Sequence, residues 1–264
     1  MYAFNYSQPT SVNGAVAELA NEDAKALAGG QTLLATMKQR LASPSAVVDL
    51  NGLSELVGIR REGDHIAIGA LTRHVDVATS DIVKAAIPAL AVLAAGIGDP
   101  AVRNRGTIGG SLANDDPAAD YPAGALGLGA TIVTNKREIA ADDYFTGLFE
   151  TALEPGELIT AVKFPIPQKA GYVKFPNPAS RFCMVGVLVA KTASGVRVAV
   201  TGAGANGVFR AADFEKALNS NFSAAALDGV AVSVDDMSSD IHASAEYRAH
   251  LVSVIAKRAV AAAG

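Results

Sequence analysis

The spacing of apolar residues predicts that the first part of the chain alternates strands and helices. Apolar residues between 12 and 20 recur at helical intervals, and Ser11 stands where a helix cap is expected. Short apolar runs at 24–28 and 46–50 predict strands, and the spacing over 33–41 predicts a helix. The turn residues that follow at 51 and 52 suggest the end of a first subdomain.

In the middle of the chain, some segments alternate apolar and polar residues as strands do, and others repeat apolar residues at helical spacing. The predicted elements are a hairpin at 59–70, a helix capped by Thr72 and ending near 79, a helix at 82–95 that Pro88 interrupts, a helix at 121–128, a hairpin at 130–140 and a strand at 158–164. The pattern changes beyond about residue 171. There, strands are predicted at 185–190 and 196–201, followed by two helices, the last at 244–262.

Residues 103–120 concentrate glycine, hydroxyl and carboxylate groups. The mixture is too irregular for a helix or a strand, so we predict a long loop, and long loops inside compact domains are usually functional. Thr107 to Ser111 form a candidate anion cradle, because glycines allow close backbone approach and consecutive N–H groups bind phosphate oxygens. A plain tight turn at Gly109-Gly110 is the alternative.

A second glycine segment, Ala28 to Thr32, follows a predicted strand and precedes a predicted helix. That order places backbone N–H groups at a helix N-terminus, where an anion is favoured. The three-glycine spacing of the Rossmann dinucleotide motif is missing. Two separate cradles predict a ligand with two linked phosphates, such as a dinucleotide.

Composition narrows the possible functions. The net charge of -4 gives no electrostatic reason to bind nucleic acid or an anionic membrane. With neither a leader-like start nor an apolar stretch long enough for a membrane span, we expect a soluble, cytoplasmic protein. Cys183 is the only cysteine, and the four histidines show no metal-ligand spacing. We therefore expect no metal ligands on this chain, and any redox group should be an organic cofactor.

Together these motifs resemble the flavin subunit of the molybdenum hydroxylases, a family that includes aerobic carbon monoxide dehydrogenase and xanthine dehydrogenase. Besides the two glycine segments, the resemblance includes residues 4–9, 49–50, 156–159 and 243–248, and so covers essentially the whole chain. It implies an α+β fold, with an FAD-binding region of the vanillyl-alcohol oxidase (PCMH) type in two subdomains. The expected division is 1–52, 53–170 and a C-terminal sheet-plus-helices domain at 171–264.

The resemblance also implies which residues contact FAD. They are Leu27, Ala28, Gly29, Gly30, Gln31, Thr32 and Leu33 in the first segment, and Gly106, Thr107, Ile108, Gly109, Gly110, Ser111 and Asn114 in the second. Ile97, Gly98, Ala101, Asp120, Ile159 and Lys174 complete the set. Taken alone, Asp120 is typical of an N-cap of the helix at 121–128, a role compatible with cofactor contact, and Ile159 would be an ordinary core residue. The roles of Arg103 and Arg105 stay open, between loop support and partner contact.

The function implied by the resemblance is electron transfer within a molybdenum hydroxylase. A small [2Fe–2S] subunit and a large molybdopterin subunit are the expected partners, arranged as a dimer of heterotrimers. No catalytic residue is expected on this chain. Alternatives are a free-standing FAD-dependent oxidoreductase of the same fold, a flavin-free assembly subunit, or an enolpyruvyl-sugar reductase. The substrate and the terminal acceptor, whether NAD, quinone, cytochrome or oxygen, are not indicated by the sequence.

Overall fold

The computed structural model describes residues 1–21 and 23–263, and the chain begins with a small parallel sheet. Its elements are β1 (Asn5–Ser7), α1 (Val12–Leu19), β2 (Ala24–Leu27), α2 (Leu33–Lys38) and β3 (Ala46–Asp49), with strand order β1-β3-β2. Ser11 caps α1 as predicted, since its side chain accepts from the Gly14 N–H. Helix α2 ends at Lys38, three residues before the predicted end. Two 3₁₀ turns, Leu50–Gly52 and Ser54–Leu56, follow.

A five-stranded antiparallel sheet and the helices around it come next. The elements are β4 (Ile59–Glu62), β5 (His65–Gly69), α3 (His74–Thr79), α4 (Asp81–Ala86), α5 (Pro88–Ala95), α6 (Pro100–Arg103), α7 (Ile108–Asn114), α8 (Tyr121–Leu128), β6 (Thr131–Thr134), β7 (Glu138–Ala140), α9 (Ala141–Tyr144), the hairpin β8 (Phe145–Gly147) and β9 (Glu150–Thr151), and β10 (Ile159–Pro165). The strand order is β4-β5-β10-β6-β7.

The C-terminal sheet is antiparallel, with order β11-β12-β13-β14. Its elements are β11 (Lys169–Pro176), β12 (Cys183–Thr192), β13 (Gly195–Thr201) and β14 (Phe209–Arg210), followed by α10 (Ala212–Ser220), 3₁₀ turns at Ala224–Leu227 and Val234–Asp236, and α11 (Ala245–Ala262). Strand β12 is buried on both faces. Val187 belongs to the core beneath α11, whereas Leu188 belongs to the core shared with α8. This two-sided burial explains its continuous apolar run.

Helix α8 joins the two larger sheets. All eight of its residues are buried, and it packs against β12 and β13. A Cβ on Gly127 would stand 2.6 Å from Leu188 Cδ2, so any larger residue would force the Leu188 side chain to shift. No helix among the described residues meets the length and hydropathy needed to cross a membrane.

Two predictions about secondary structure are wrong, and one strand was missed. Residues 103–120 are not one irregular loop, because α7 forms with Thr107 as its cap and buries Ile108 and Leu112 one turn apart. Thr72 does not cap α3, because its hydroxyl bonds with the backbone of Gly58 and the cap position is Arg73. Strand β11 was not predicted.

Candidate functional site

A cavity of about 900 Å³ opens where the β2–α2 loop meets the segment leading into α7. Most of the residues predicted to contact a cofactor lie on its walls. They are Ala28, Gly29, Gly30, Gln31, Thr32, Leu33, Ile97, Gly98, Gly106, Thr107, Gly109, Gly110, Ser111, Asn114, Asp120 and Ile159. The volume is within the range of small-molecule and cofactor sites.

The first glycine segment presents a row of free backbone donors. Within the described part of the chain, the N–H groups of residues 29–33 donate to no protein acceptor. Gly30 adopts a φ of +72°, which favours glycine, and this turns the chain from β2 toward α2. Successive free N–H groups at such a turn form an anion-binding concavity. The predicted cradle is therefore available here.

The second segment is different, and the prediction of a consecutive amide cradle there is wrong. The N–H of Ile108 donates to the Thr72 carbonyl at 3.1 Å, and that of Gly109 to the Ala70 carbonyl at 2.8 Å. The Gly110 N–H donates to the Thr107 hydroxyl at 3.2 Å. This segment contributes the Ser111 side chain and the backbone of its two glycines to the cavity wall.

Close packing explains Gly29 and Gly109, whereas a positive φ explains Gly30. A Cβ on Gly29 would stand 2.2 Å from the carbonyl oxygen of Arg105, so the two segments touch at this point. A Cβ on Gly109 would lie 2.6 Å from that of Ala70. Gly110 has no positive φ, and a Cβ there would stand 3.5 Å from the Cβ of Ala28, in the gap between the segments.

Asp120 forms a buried ionic cluster on one wall. Its carboxylate accepts a hydrogen bond from the Tyr172 hydroxyl, and the ammonium of Lys174 lies 3.1 Å away. Burial raises the pKa of Asp120, and the Lys174 charge and the Tyr172 hydrogen bond oppose that rise. Asp120 occupies the N-cap position of α8, but its side chain makes no capping bond and is engaged in this cluster instead. Strand β11 thus supports Asp120 from behind.

The wall next to Asp120 is held by the C-terminal sheet. The Thr201 hydroxyl donates to the carbonyl of Ala119 at 2.7 Å, and the Gly202 N–H donates to that of Pro117 at 2.9 Å. Ala118 and Ala119 line the cavity. Sequence reasoning missed these supports, because no local signal links residues more than eighty positions apart.

Several lining residues were also missed. His74 is buried beside Gly106, where a Cβ would stand 2.4 Å from its Nε2. Burial and the nearby charge of Arg103 lower the pKa of His74 to about 4, so its imidazole is neutral near pH 7. The loop at 179–182, between β11 and β12, also lines the cavity. A lone histidine or a short polar loop carries no sequence signal for such a role.

Glu157 is a further buried carboxylate at the cavity, just before Ile159. Burial alone would raise its pKa, but hydrogen bonds from Arg137, the Glu154 N–H and the Thr134 hydroxyl hold that pKa at about 2. The carboxylate is therefore ionised and fixed, and it anchors the chain as it enters β10.

Four residues of the predicted set lie outside the cavity lining. Leu27 ends β2, Ala101 is exposed on α6, Ile108 is buried in the core, and Lys174 stands behind Asp120. Arg103 has a supporting role, since its guanidinium donates to the carbonyls of Ile97 and Gly98, at 2.9 and 3.1 Å.

Comparison with known proteins gives a consistent result. Residues 2–167 match the family described as the FAD binding domain in molybdopterin dehydrogenase. The chain is 36% identical to the carbon monoxide dehydrogenase medium chain of Afipia carboxidovorans, over 98% of this chain and 96% of that protein. It is 37% identical to the nicotine 6-hydroxylase medium subunit of Paenarthrobacter nicotinovorans, over 99% and 98% respectively. Reconstituted CO dehydrogenase from Oligotropha carboxidovorans superimposes with a TM-score of 0.91 at 36% identity, covering 99% of this chain and 98% of that chain.

Proposed function

The chain belongs to the family of FAD-binding domains of molybdopterin dehydrogenases, and on this premise we propose that it carries FAD as the electron-transferring flavin subunit of a molybdenum hydroxylase. The names of its relatives, a medium chain and a medium subunit, support a place in a multi-subunit complex. The proposed partners are a small [2Fe–2S] subunit and a large molybdopterin subunit, in a dimer of heterotrimers. A cytoplasmic location stays a prediction.

The observation that carries this proposal is the row of free N–H groups at residues 29–33 beside a cavity of about 900 Å³. Among the lining residues, carboxylates outnumber cations, so side-chain charge offers little attraction for a pyrophosphate. Free backbone N–H groups instead supply partial positive charge to the phosphate oxygens. The residues present therefore fit a dinucleotide held mainly by the backbone.

The remaining residues of the set have distinct proposed roles. The Ser111 hydroxyl would donate to a phosphate oxygen, and Asp120 would accept from a nucleotide hydroxyl. Ile97 and Ile159 supply apolar contact. We propose that Lys174 acts through Asp120, and that Leu27 and Ile108 shape the two segments from behind. Ala101 is proposed as a contact from the exposed face of α6.

When bound, FAD supplies the capacity to take up two electrons and return them one at a time, and the chain's own residues bind and orient it. The loop at 179–182 lines the cavity, as do Asp116, Ala118 and Ala119. The division into 1–52, 53–170 and 171–264 remains our proposal. Each part contains one of the three larger sheets, although the first two residues of β11 lie before the boundary at 171.

Reduction of the flavin tests the subunit assignment. We expect the isolated chain to bind FAD and show its absorbance, but not to be reduced by organic substrates. The native complex, purified with its iron–sulfur and molybdopterin subunits, should bleach that absorbance when its substrate is added. Steady turnover by the isolated chain would favour a free-standing oxidoreductase instead. A chain that binds no FAD would contradict the proposal altogether.

A further inference from the structure

A polar network behind the first glycine segment connects β1 and β3 to the cradle. Asp49, at the end of β3, accepts from the Tyr6 hydroxyl at 2.6 Å and from the Gln8 amide at 3.4 Å. Its other carboxylate oxygen accepts from the backbone N–H and the side-chain amide of Asn51, at 2.9 and 2.6 Å. The same Asn51 amide nitrogen donates to the carbonyl of Ala28 at 2.9 Å.

The bond to Ala28 fixes one peptide plane. Because the chain has no cis peptide bond in its described part, the Ala28 carbonyl and the Gly29 N–H point in opposite directions. Asn51 does not line the cavity, whereas Ala28 and Gly29 do. Holding the carbonyl toward Asn51 therefore directs the Gly29 N–H away from it, at the start of the row of free donors.

The network is ordered from both sides. Burial alone would raise the pKa of Asp49, but the hydrogen bonds from Tyr6 and Asn51 hold it below its ordinary value. The carboxylate is thus ionised near neutral pH and keeps the Asn51 amide oriented as a donor. On the opposite side, the contact of Gly29 with the Arg105 carbonyl limits movement of the same peptide.

We propose that Asn51, oriented by Asp49, is a positioning residue that aims the Gly29 N–H at the phosphate-binding part of the cavity. This inference rests on the proposed function, because it assigns a role toward FAD. Asn51 itself contacts no cofactor in this proposal. Its effect is confined to ligands that carry a phosphate, since riboflavin lacks the group that the Gly29 N–H would meet.

The test compares ligands with and without phosphates on the full-length chain, after its flavin has been removed. Dissociation constants of FAD, ADP and riboflavin are measured for the wild type, Asn51→Ala and the isosteric Asn51→Asp. Gln8→Ala is the matched control, because Gln8 donates to the same Asp49 carboxylate but does not touch Ala28. Circular dichroism of each variant checks that the fold is retained.

We expect both Asn51 variants to bind FAD and ADP roughly tenfold more weakly, about the value of one hydrogen bond, while riboflavin binding is unchanged. Gln8→Ala should match the wild type. Unchanged FAD and ADP binding in both Asn51 variants would overturn the inference, as would an equal loss for all three ligands. If the wild type itself binds no FAD, the proposed function fails, and this inference fails with it.

Discussion

Asp115 gives the sharpest prediction about stability, because the structure places a carboxyl group where ionisation is unfavourable. It ends α7 in the left-handed conformation, with a φ of 42°, and is only 3% exposed. Burial and the adjacent charge of Asp116 raise its pKa from 3.8 to about 7. Between pH 3.8 and about 7, the folded protein therefore keeps a proton on Asp115 that the unfolded chain has released. The free energy of unfolding consequently falls as the pH rises through this range.

The size of the effect follows from the rise in pKa. At about 1.4 kcal/mol per pH unit, the full cost of ionising Asp115 above pH 7 is about 4 kcal/mol. Asn is neutral at every pH, has the same shape and tolerates the left-handed conformation. We expect Asp115→Asn to raise the free energy of unfolding by about 2–4 kcal/mol at pH 8, and by less than half as much at pH 5.

The measurement is urea unfolding at pH 5 and pH 8, followed by circular dichroism because the chain has no tryptophan. Comparing variant with wild type at each pH cancels the opposing contribution of His74, whose lowered pKa makes stability fall as the pH drops below about 6.5. Asp143→Asn, on the exposed face of α9, is the control and should change little. An equal gain at both pH values, or a loss at pH 8, would refute the reasoning.

Three further outcomes are expected. Acid precipitation should release the flavin into the supernatant, because neither glycine segment carries a histidine or cysteine for covalent attachment; flavin left in the pellet would contradict this. Gly109→Ala should lower the free energy of unfolding by about 2 kcal/mol, because the new Cβ would clash with Ala70. Gly52→Ala is the control and should have little effect, because its Cβ would meet no atom closer than 3.4 Å. Thermal melting of both variants tests the difference. Lys174→Met should cost about 3 kcal/mol at pH 8 and less at lower pH, because burial without the cation favours the neutral form of Asp120; equal losses at both pH values would argue against the ion pair.

The sequence allowed the family and the fold class to be predicted, and both are confirmed by the family match and the superposition. Local signals account for this success. Ser11 and Ser244 cap the helices they precede, and the strand–glycine–helix order at 24–38 is visible without tertiary information. The assignment of individual residues to FAD stays a prediction.

What was missed depends on contacts between distant residues. Helix α7 contains two glycines, which disfavour a helix locally, yet packing of Gly109 against Ala70 and burial of Ile108 stabilise it. The amides of Ile108 and Gly109 are occupied by the carbonyls of Thr72 and Ala70, which no spacing rule reveals. Tyr172 and Lys174 meet Asp120 across more than fifty residues. Sequence periodicity contains no information about such pairings.

Because Thr201 and Gly202 bond to the Pro117–Ala119 wall, this wall is completed late in synthesis of the chain. Synthesis proceeds from the N-terminus, so both glycine segments leave the ribosome long before β13 does. Until β13 has emerged and paired, the wall lacks the bonds that fix it. The family match ends at residue 167, ahead of every one of these supports. A nascent or prematurely terminated chain therefore presents the first glycine segment without the bonds that fix the Pro117–Ala119 wall.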